Sequence, residues 1–450
     1  MKGSAIRRDW PGTDANWILL GVKSKIFKHI FNPNAKMEEC HKVKVCRMCK
    51  SSKIEKFLDL GFTPPSDGFL AAEQLERPET HYPLDVCICH DCGLVQLGYV
   101  VSPEILFRTD YPYESSTTRS GREHFLDMSR YICKRFGLRP NSLVIDVGSN
   151  VGVLLLGFKE QGMSVLGIDP ATNIAEIANR KGIETWPEFF NTEIAEKVVK
   201  KKGKASVITG TNVFAHIHDL HDVARAVDMI LRDDGIFVIE APYLVDTLNN
   251  LEYDTIYHEH LSYISVRPLV SFFKKFNMDV FDVLRVKIHG GSIRVFVCRK
   301  GRQKISENVD ALLKLEEAER VYFMERLKKF AHDVKRQKEE LLCLLVNLKK
   351  EGKRIVGVSA PAKGNTLLNY CKIDAVTLDY LTEKAEVKIG RFSPGMHIPV
   401  VPDKKLLEDK PDYALLLAWN FADEIIRNLD EYRKAGGKFI IPIPSPRIVQ

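Results

Sequence analysis

A chain of 450 residues with 45% apolar and 28% charged side chains is too long for one ordinary core and too apolar to be disordered, so two to four packed domains are expected. Its formal charge of +7 is spread along the chain, although Arg7, Arg8, Lys23, Lys25 and Lys28 crowd the beginning; such an excess attracts the phosphates of a small nucleotide as readily as nucleic acid and decides neither. No stretch of about 20 apolar residues occurs, and residues 1–9 lack the apolar run of a secretory signal, so a cytoplasmic protein without a membrane span is expected.

Residues 1–45 carry Trp10, Trp17, an amphipathic run over 18–30 and a turn at Asn32-Pro33-Asn34, which reads as an extension with one short helix. From residue 46 to 108, short alternating stretches are broken by Gly61, Pro64-Pro65 and Gly68. A segment of that kind has little core of its own and needs a staple. The pairs Cys46-x-x-Cys49 and Cys89-x-x-Cys92 supply one: four thiolates can occupy tetrahedral corners about 2.3 Å from a zinc ion, and with every position filled by protein the site is structural. Cys40 and Cys87 are spare thiols in the same stretch.

Apolar spacing over 120–136 predicts a helix, and the β-branched run 142–147 predicts a strand ending on Gly148. Strands at 164–169, 205–209 and 235–240 alternate with helical patterns at 173–181 and 220–231, which implies a parallel α/β sheet with right-handed crossovers. The runs 280–286 and 293–298 read as an antiparallel edge of that sheet, closing a domain over 109–305. Residues 306–350 form a Leu/Lys/Glu-rich helical linker, a long helix or a helical pair. Strands at 354–358, 377–381, 413–417 and 438–442 then give a second Rossmann-like domain over 351–450.

Within the first α/β unit, Asp146 at a strand end is followed by Gly148, Ser149, Asn150 and Gly152, and Asp169 ends the next strand. The glycines let backbone approach a ligand and the spaced acid can accept from ribose hydroxyls, an arrangement suited to an adenosyl group, the plain alternative being a tight strand–helix turn. Tyr257-His258-Glu259-His260 puts four polar groups between apolar runs, where burial is costly without partners, so a cleft or a polar loop is expected. A His there can take a proton and a neighbouring Glu can stabilise it. His216 follows the 205–209 strand, a position that suits either the same edge or a structural role. The loop 357–366 offers small residues, a helix start and Lys363, which a pyrophosphate or merely solvent could use; its spacing is not that of a Walker A motif.

The zinc knuckles, Tyr111-Pro112-Tyr113-Glu114-Ser115-Ser116, the glycine loop, residues 212–216, Ile256 through His260, His289-Gly290-Gly291 and the Lys363 loop stand in the order found in the nucleotide-deoxysugar C3-methyltransferases, and the chain resembles that family from about residue 46 to 447. The resemblance implies a zinc-binding domain, a central class I S-adenosylmethionine domain and a C-terminal Rossmann-like domain that holds a nucleotide sugar. It implies His260 as base, with Tyr257, Glu259, His216 and Tyr111 around the sugar. It places the cofactor against Asp146, Gly148, Ser149, Asn150, Gly152, Asp169, Asn212, Tyr113 and Ser116, and the substrate against Lys363, Asn365, His289, Gly290, Gly291 and Asn420. The resemblance implies C-methylation at C3 of a 4-keto-6-deoxysugar, and the chemistry agrees with it, because a C–H bond beside a ketone becomes acidic when the carbanion delocalises as an enolate. Val151, His258 and Val358-Ser359 depart from the family pattern. O- or N-methyl transfer to a related sugar is the competing enzyme reading. A zinc-containing nucleic-acid binder would lack both a basic recognition helix and a use for residues 257–260. A monomer or weak dimer is expected.

Overall fold

Three sheets and a two-strand ladder carry the fold in the computed structural model, which describes residues 39–107, 119–288 and 290–450. The expected helix near the beginning, and Tyr111, Tyr113, Ser116 and His289, lie outside the described residues.

Five strands belong to the cysteine-rich segment: β1 (Cys40–Lys42), β2 (Ile54–Thr63), β3 (Tyr82–Cys89), β4 (Val95–Leu97) and β5 (Tyr99–Val101). Along β2, Leu58 and Leu60 turn inward while Asp59 faces water, the period-two alternation of a strand with one covered face. The covered face has no private core: Leu58, Leu84, Val86 and Ile88 share one apolar cluster with Phe272, Leu345 and Leu367 of later segments.

The central sheet is built from β6 (Leu143–Val147), β7 (Ser164–Ile168), β8 (Thr185–Trp186), β9 (Ala205–Thr211) and β10 (Leu231–Pro242). The short β11 (Ser262–Tyr263) comes next in the chain, followed by β12 (Met278–Val286) and β13 (Ser292–Arg299). The order is β12-β13-β10-β9-β6-β7-β8, parallel from β10 to β8, with β13 and β12 antiparallel at one edge. Both faces are covered by helices such as Arg119–Phe136, Val153–Glu160 and Leu220–Ile230, which is why the parallel strands read as unbroken apolar runs. β11 leaves this sheet and pairs with β4, so the zinc-module sheet runs β11-β4-β3-β2.

The linker is a helical pair, Glu307–Ala318 and Met324–Lys350. In the second helix Leu327, Phe330, Val334, Leu341, Leu345 and Leu348 are buried, a stripe at helical spacing. The last sheet comprises β14 (Ile355–Val358), β15 (Leu381–Glu383), β16 (Val400–Pro402), β17 (Tyr413–Leu416), β18 (Lys438–Ile441) and β19 (Arg447–Val449), in the order β16-β15-β14-β17-β18-β19 with β19 antiparallel. Here the expected strand over 377–381 is displaced. The Asp374 carboxylate accepts from the N–H groups of Val376 (3.1 Å) and Thr377 (3.3 Å), a local turn that outweighs the strand preference of those two residues. The strand begins at Leu381 instead. The edge strands β16 and β19 had no sequence expectation, being three residues each.

Candidate active site

The crevice beyond the carboxyl ends of β6 and β9 is where the sheet order reverses direction, the usual ligand position of such folds. Gly148 follows β6 at φ +67, and a Cβ there would stand 2.6 Å from Val213 Cγ2, so neither the backbone angle nor the space admits a side chain. Asp169 closes the loop from the next strand: its Oδ2 accepts from the Asn150 N–H at 2.8 Å and its Oδ1 from Ala171 N–H at 3.0 Å. Thr209 Oγ1 donates to Asp146 Oδ1 at 2.6 Å. Burial, with Asp169 adding to it, pushes Asp146 up to about 7, and burial raises Asp169 as well.

A cavity of about 370 Å³ opens over this loop, lined among others by Asp146, Gly148, Asp169, Phe190, Asn212 and His216. On its wall Ser149 Oγ, Thr211 Oγ1 and Asn212 Oδ1 are buried with no hydrogen-bond partner among the described residues. Such atoms cost free energy until a ligand meets them. Apolar walls with a few orphaned polar atoms and a carboxylate beside the glycine loop fit the adenosyl and amino-acid ends of S-adenosylmethionine. Val151 does not face this space: it is buried with Leu155, Phe158 and Ile183 on the other side of the loop, so its departure from the family pattern removes no polar wall.

The Sγ atoms of Cys46, Cys49, Cys89 and Cys92 all lie within 4.8 Å of one another, with Cys46–Cys92 at 3.5 Å and Cys49–Cys89 at 3.4 Å. Four thiols at about the 3.8 Å edge that 2.3 Å bonds imply are a fitting donor set for zinc. Neither Cys40 nor Cys87 joins the group. The knuckle also reaches the central domain: buried Arg47 donates through Nη1 to the Leu97 and Leu261 carbonyl oxygens, both at 3.0 Å. Nothing in the sequence marked Arg47, since its partner Leu261 is 214 positions away.

His260 precedes that Leu261. Its Nδ1 lies 2.7 Å from the Thr255 carbonyl oxygen; a carbonyl only accepts, so Nδ1 carries a proton, and in the neutral ring the lone pair is on Nε2. The Tyr257 ring is 4.0 Å and the His216 ring 4.9 Å from the His260 ring, centroid to centroid, and Phe107 stacks on His216 at 5.8 Å. Burial, then the neighbouring His260, holds His216 well below the usual imidazole range, so it is neutral at pH 7. His216 and Leu261 also line the cavity, and the His260 and Tyr257 rings adjoin it through His216. His258 takes another direction: it is buried, its Nε2 is 3.3 Å from the Tyr82 carbonyl oxygen of the zinc module, and burial pulls it down to about 4. Glu259 is buried beside it in the chain.

The C-terminal candidates divide in two. Lys363 hydrogen-bonds the Asn420 side-chain oxygen, and its ammonium lies 5.1 Å above the Trp419 ring. Burial lowers its pKa, against the opposing charges of Asp254 and Glu252. Asn365 is instead buried at a domain seam, its amide donating to the Ser66 carbonyl at 2.7 Å. Gly290 and Gly291, at φ +90 and +135, wrap two carboxylates: a Cβ on either would come within 2.3 Å of Glu252 Oε1 or Asp246 Oδ2. Glu252, Asp254, Thr255 and Trp419 were not singled out in the sequence; adjacency of the first three to residues 256–260 was the available signal.

A doubly wound sheet, a glycine loop under an orphan-lined cavity and a four-thiol knuckle define an S-adenosylmethionine-dependent methyltransferase with a zinc-binding module. The chain belongs to the C-methyltransferase family. Residues 46–107 match its zinc binding domain, 121–283 a methyltransferase domain and 287–444 the C-methyltransferase C-terminal domain. It is 36% identical over 405 residues to the C-methyltransferase NovU of Streptomyces niveus, covering 90% of this chain and 96% of that one. A ubiquinone biosynthesis O-methyltransferase of Escherichia coli is 26% identical over 107 residues, 23% of this chain and 45% of its own. Among solved structures, a methyltransferase from Clostridium acetobutylicum aligns at 14% identity and TM-score 0.33, over 40% of this chain and 92% of that one. The protein is thus a C-methyltransferase, and among the described residues no helix is long and apolar enough to cross a membrane.

Proposed function

We propose that the enzyme methylates C3 of a nucleotide-linked 4-keto-6-deoxysugar, with His260 as base. The observation that supports this most is the 2.7 Å bond from His260 Nδ1–H to the Thr255 carbonyl, which makes Nε2 the acceptor nitrogen of the neutral ring, with the His216 and Tyr257 rings packed against it. His260 Nε2 takes the C3 proton, and the C–H electron pair delocalises onto the C4 ketone oxygen. Tyr257 or neutral His216 donates a hydrogen bond to that growing oxyanion. S-adenosylmethionine supplies the electrophilic methyl group when bound. As the ketone re-forms, C3 would take that methyl group while the electron pair of the broken S–CH3 bond stays on sulfur, and His260 returns its proton to solvent.

The rest of the assignment follows the same reading. Asp146, Gly148, Ser149, Asn150, Gly152, Asp169 and Asn212 hold the cofactor, with Tyr113 and Ser116; Glu259 and Tyr111 complete the sugar pocket. Lys363 and Asn420 serve the nucleotide side, in a domain over 351–450, with Asn365 and residues 289–291 supporting the walls behind them. Four of the cysteines gather in one thiol cluster, the use of cysteine expected of a protein in a reducing, cytoplasmic setting.

The test is solvent deuterium uptake at C3 of such a keto-sugar, followed by NMR. Exchange that disappears in His260→Ala, with methyl gain once the cofactor is added, supports the reading. No exchange and no methyl gain across several keto-sugars would overturn it.

A further inference from the structure

We infer that Trp419 of the C-terminal domain is a positioning residue for the proton transfer: through Asp254, its indole N–H fixes the carbonyl that holds His260 in its proton-accepting tautomer. This rests on the reading of His260 as base.

The carbonyl in question belongs to Thr255, the last residue of the single helical turn Tyr253–Thr255. A lone turn has no ladder to hold it, so its orientation depends on side-chain anchors. Tyr253 hydroxyl donates to Gln337 Oε1 at 2.6 Å, and Thr255 Oγ1 donates to the Glu252 carbonyl at 2.7 Å. The middle residue is the unusual one. Asp254 is fully buried, and its Oδ2 accepts from Trp419 Nε1–H at 2.6 Å, while its Oδ1 has no hydrogen-bond partner among the described residues.

A sealed carboxylate whose side-chain donor is a single indole depends on it, the backbone N–H groups of Asp254 and Thr255 adding further support from within the same turn. The nearest cation, Lys363, is engaged with Asn420 and lies over the Trp419 ring. Burial raises Asp254, and Lys363 only partly opposes it. Without the indole N–H, Asp254 must take up a proton or turn toward another donor, and either change rotates the turn whose next carbonyl is 2.7 Å from His260 Nδ1. Since the bond at one imidazole nitrogen decides which nitrogen carries the proton, the disturbance reaches the base without any contact between Trp419 and substrate.

Trp419→Phe keeps the ring over Lys363 and deletes only the donor. Expected are a fall in kcat of about 10- to 100-fold, KM and S-adenosylmethionine affinity within about two-fold of wild type, and a displaced limb in the pH profile of kcat. Asp254→Ala, which removes the acceptor, should reproduce these changes, and the double variant should lose no more than either single one because both act on one link. An unchanged kcat and pH profile in Trp419→Phe would overturn the inference. So would a raised KM at normal kcat, which makes the indole a substrate wall, or additive losses in the double variant. If C3 exchange vanishes in His260→Ala while Trp419→Phe behaves as wild type, this inference alone falls; if exchange survives in His260→Ala, the base assignment falls and takes it along.

Discussion

The imidazole of His260 and the carbonyl of Thr255, five positions apart, meet at 2.7 Å across the tight turn that begins the segment 256–260. The contact fixes which nitrogen of the neutral ring carries the proton, leaving Nε2 as the acceptor that the proposed base requires. It also separates His260 from His258, whose ring is spent on the Tyr82 carbonyl of the zinc module.

Replacing the base should therefore separate chemistry from binding. His260→Ala is expected to lower methyl transfer by at least about 10³-fold, in the range of lost general bases, while S-adenosylmethionine affinity by calorimetry stays within about three-fold because no cofactor contact is assigned to it. A normal turnover number would remove His260 from the mechanism.

The glycine loop should tolerate no side chain. In Gly148→Ala the added methyl meets Val213 at 2.6 Å on a backbone at φ +67, so a stability loss of roughly 1–3 kcal/mol is expected from strain and overpacking. Cofactor affinity should fall at least about ten-fold as the loop shifts. Unaltered melting temperature and affinity together would contradict the geometry.

Zinc and folding should be lost together. Cys46→Ser or Cys89→Ser removes one of four thiols held within 4.8 Å, and metal binding by such a module is coupled to its folding. Elemental analysis should show zinc falling below one per chain, with a lower melting temperature. Full stability in a metal-free variant would show the knuckle to be dispensable.

His258 should make the fold acid-sensitive. Its folded value of about 4 lies below the usual imidazole value of 6.5, so between these pH values the unfolded chain binds more protons and stability rises with pH. The contribution is in full force above pH 6.5 and fades as pH falls to 4, by up to about 3 kcal/mol. His258→Asn should flatten denaturation midpoints across pH 4 to 6.5; an unchanged slope would show that the loss comes from other groups.

Local chemistry made much of this protein readable in one dimension. The apolar runs of β6, β7 and β9 follow from double-faced burial, the two CxxC pairs from tetrahedral ligation, and the glycine loop from the clearance a bound adenosyl group needs. Each signal lies within a few residues, so no knowledge of the partner surface is required. The strand expected over 377–381 failed for the converse reason: Asp374 offered the backbone a nearer acceptor than any neighbouring strand.

Only the tertiary structure decided how the three domains converge on residues 252–263. Trp419 and Asp254 are 165 positions apart, and Arg47 and Leu261 are 214 apart. The two-residue strand β11 is too short to show a period, yet by pairing with β4 it draws the segment after His260 onto the zinc module. Such contacts depend on which buried faces stack against each other, and that choice is made by the summed burial of the whole core, to which no single stretch of sequence corresponds.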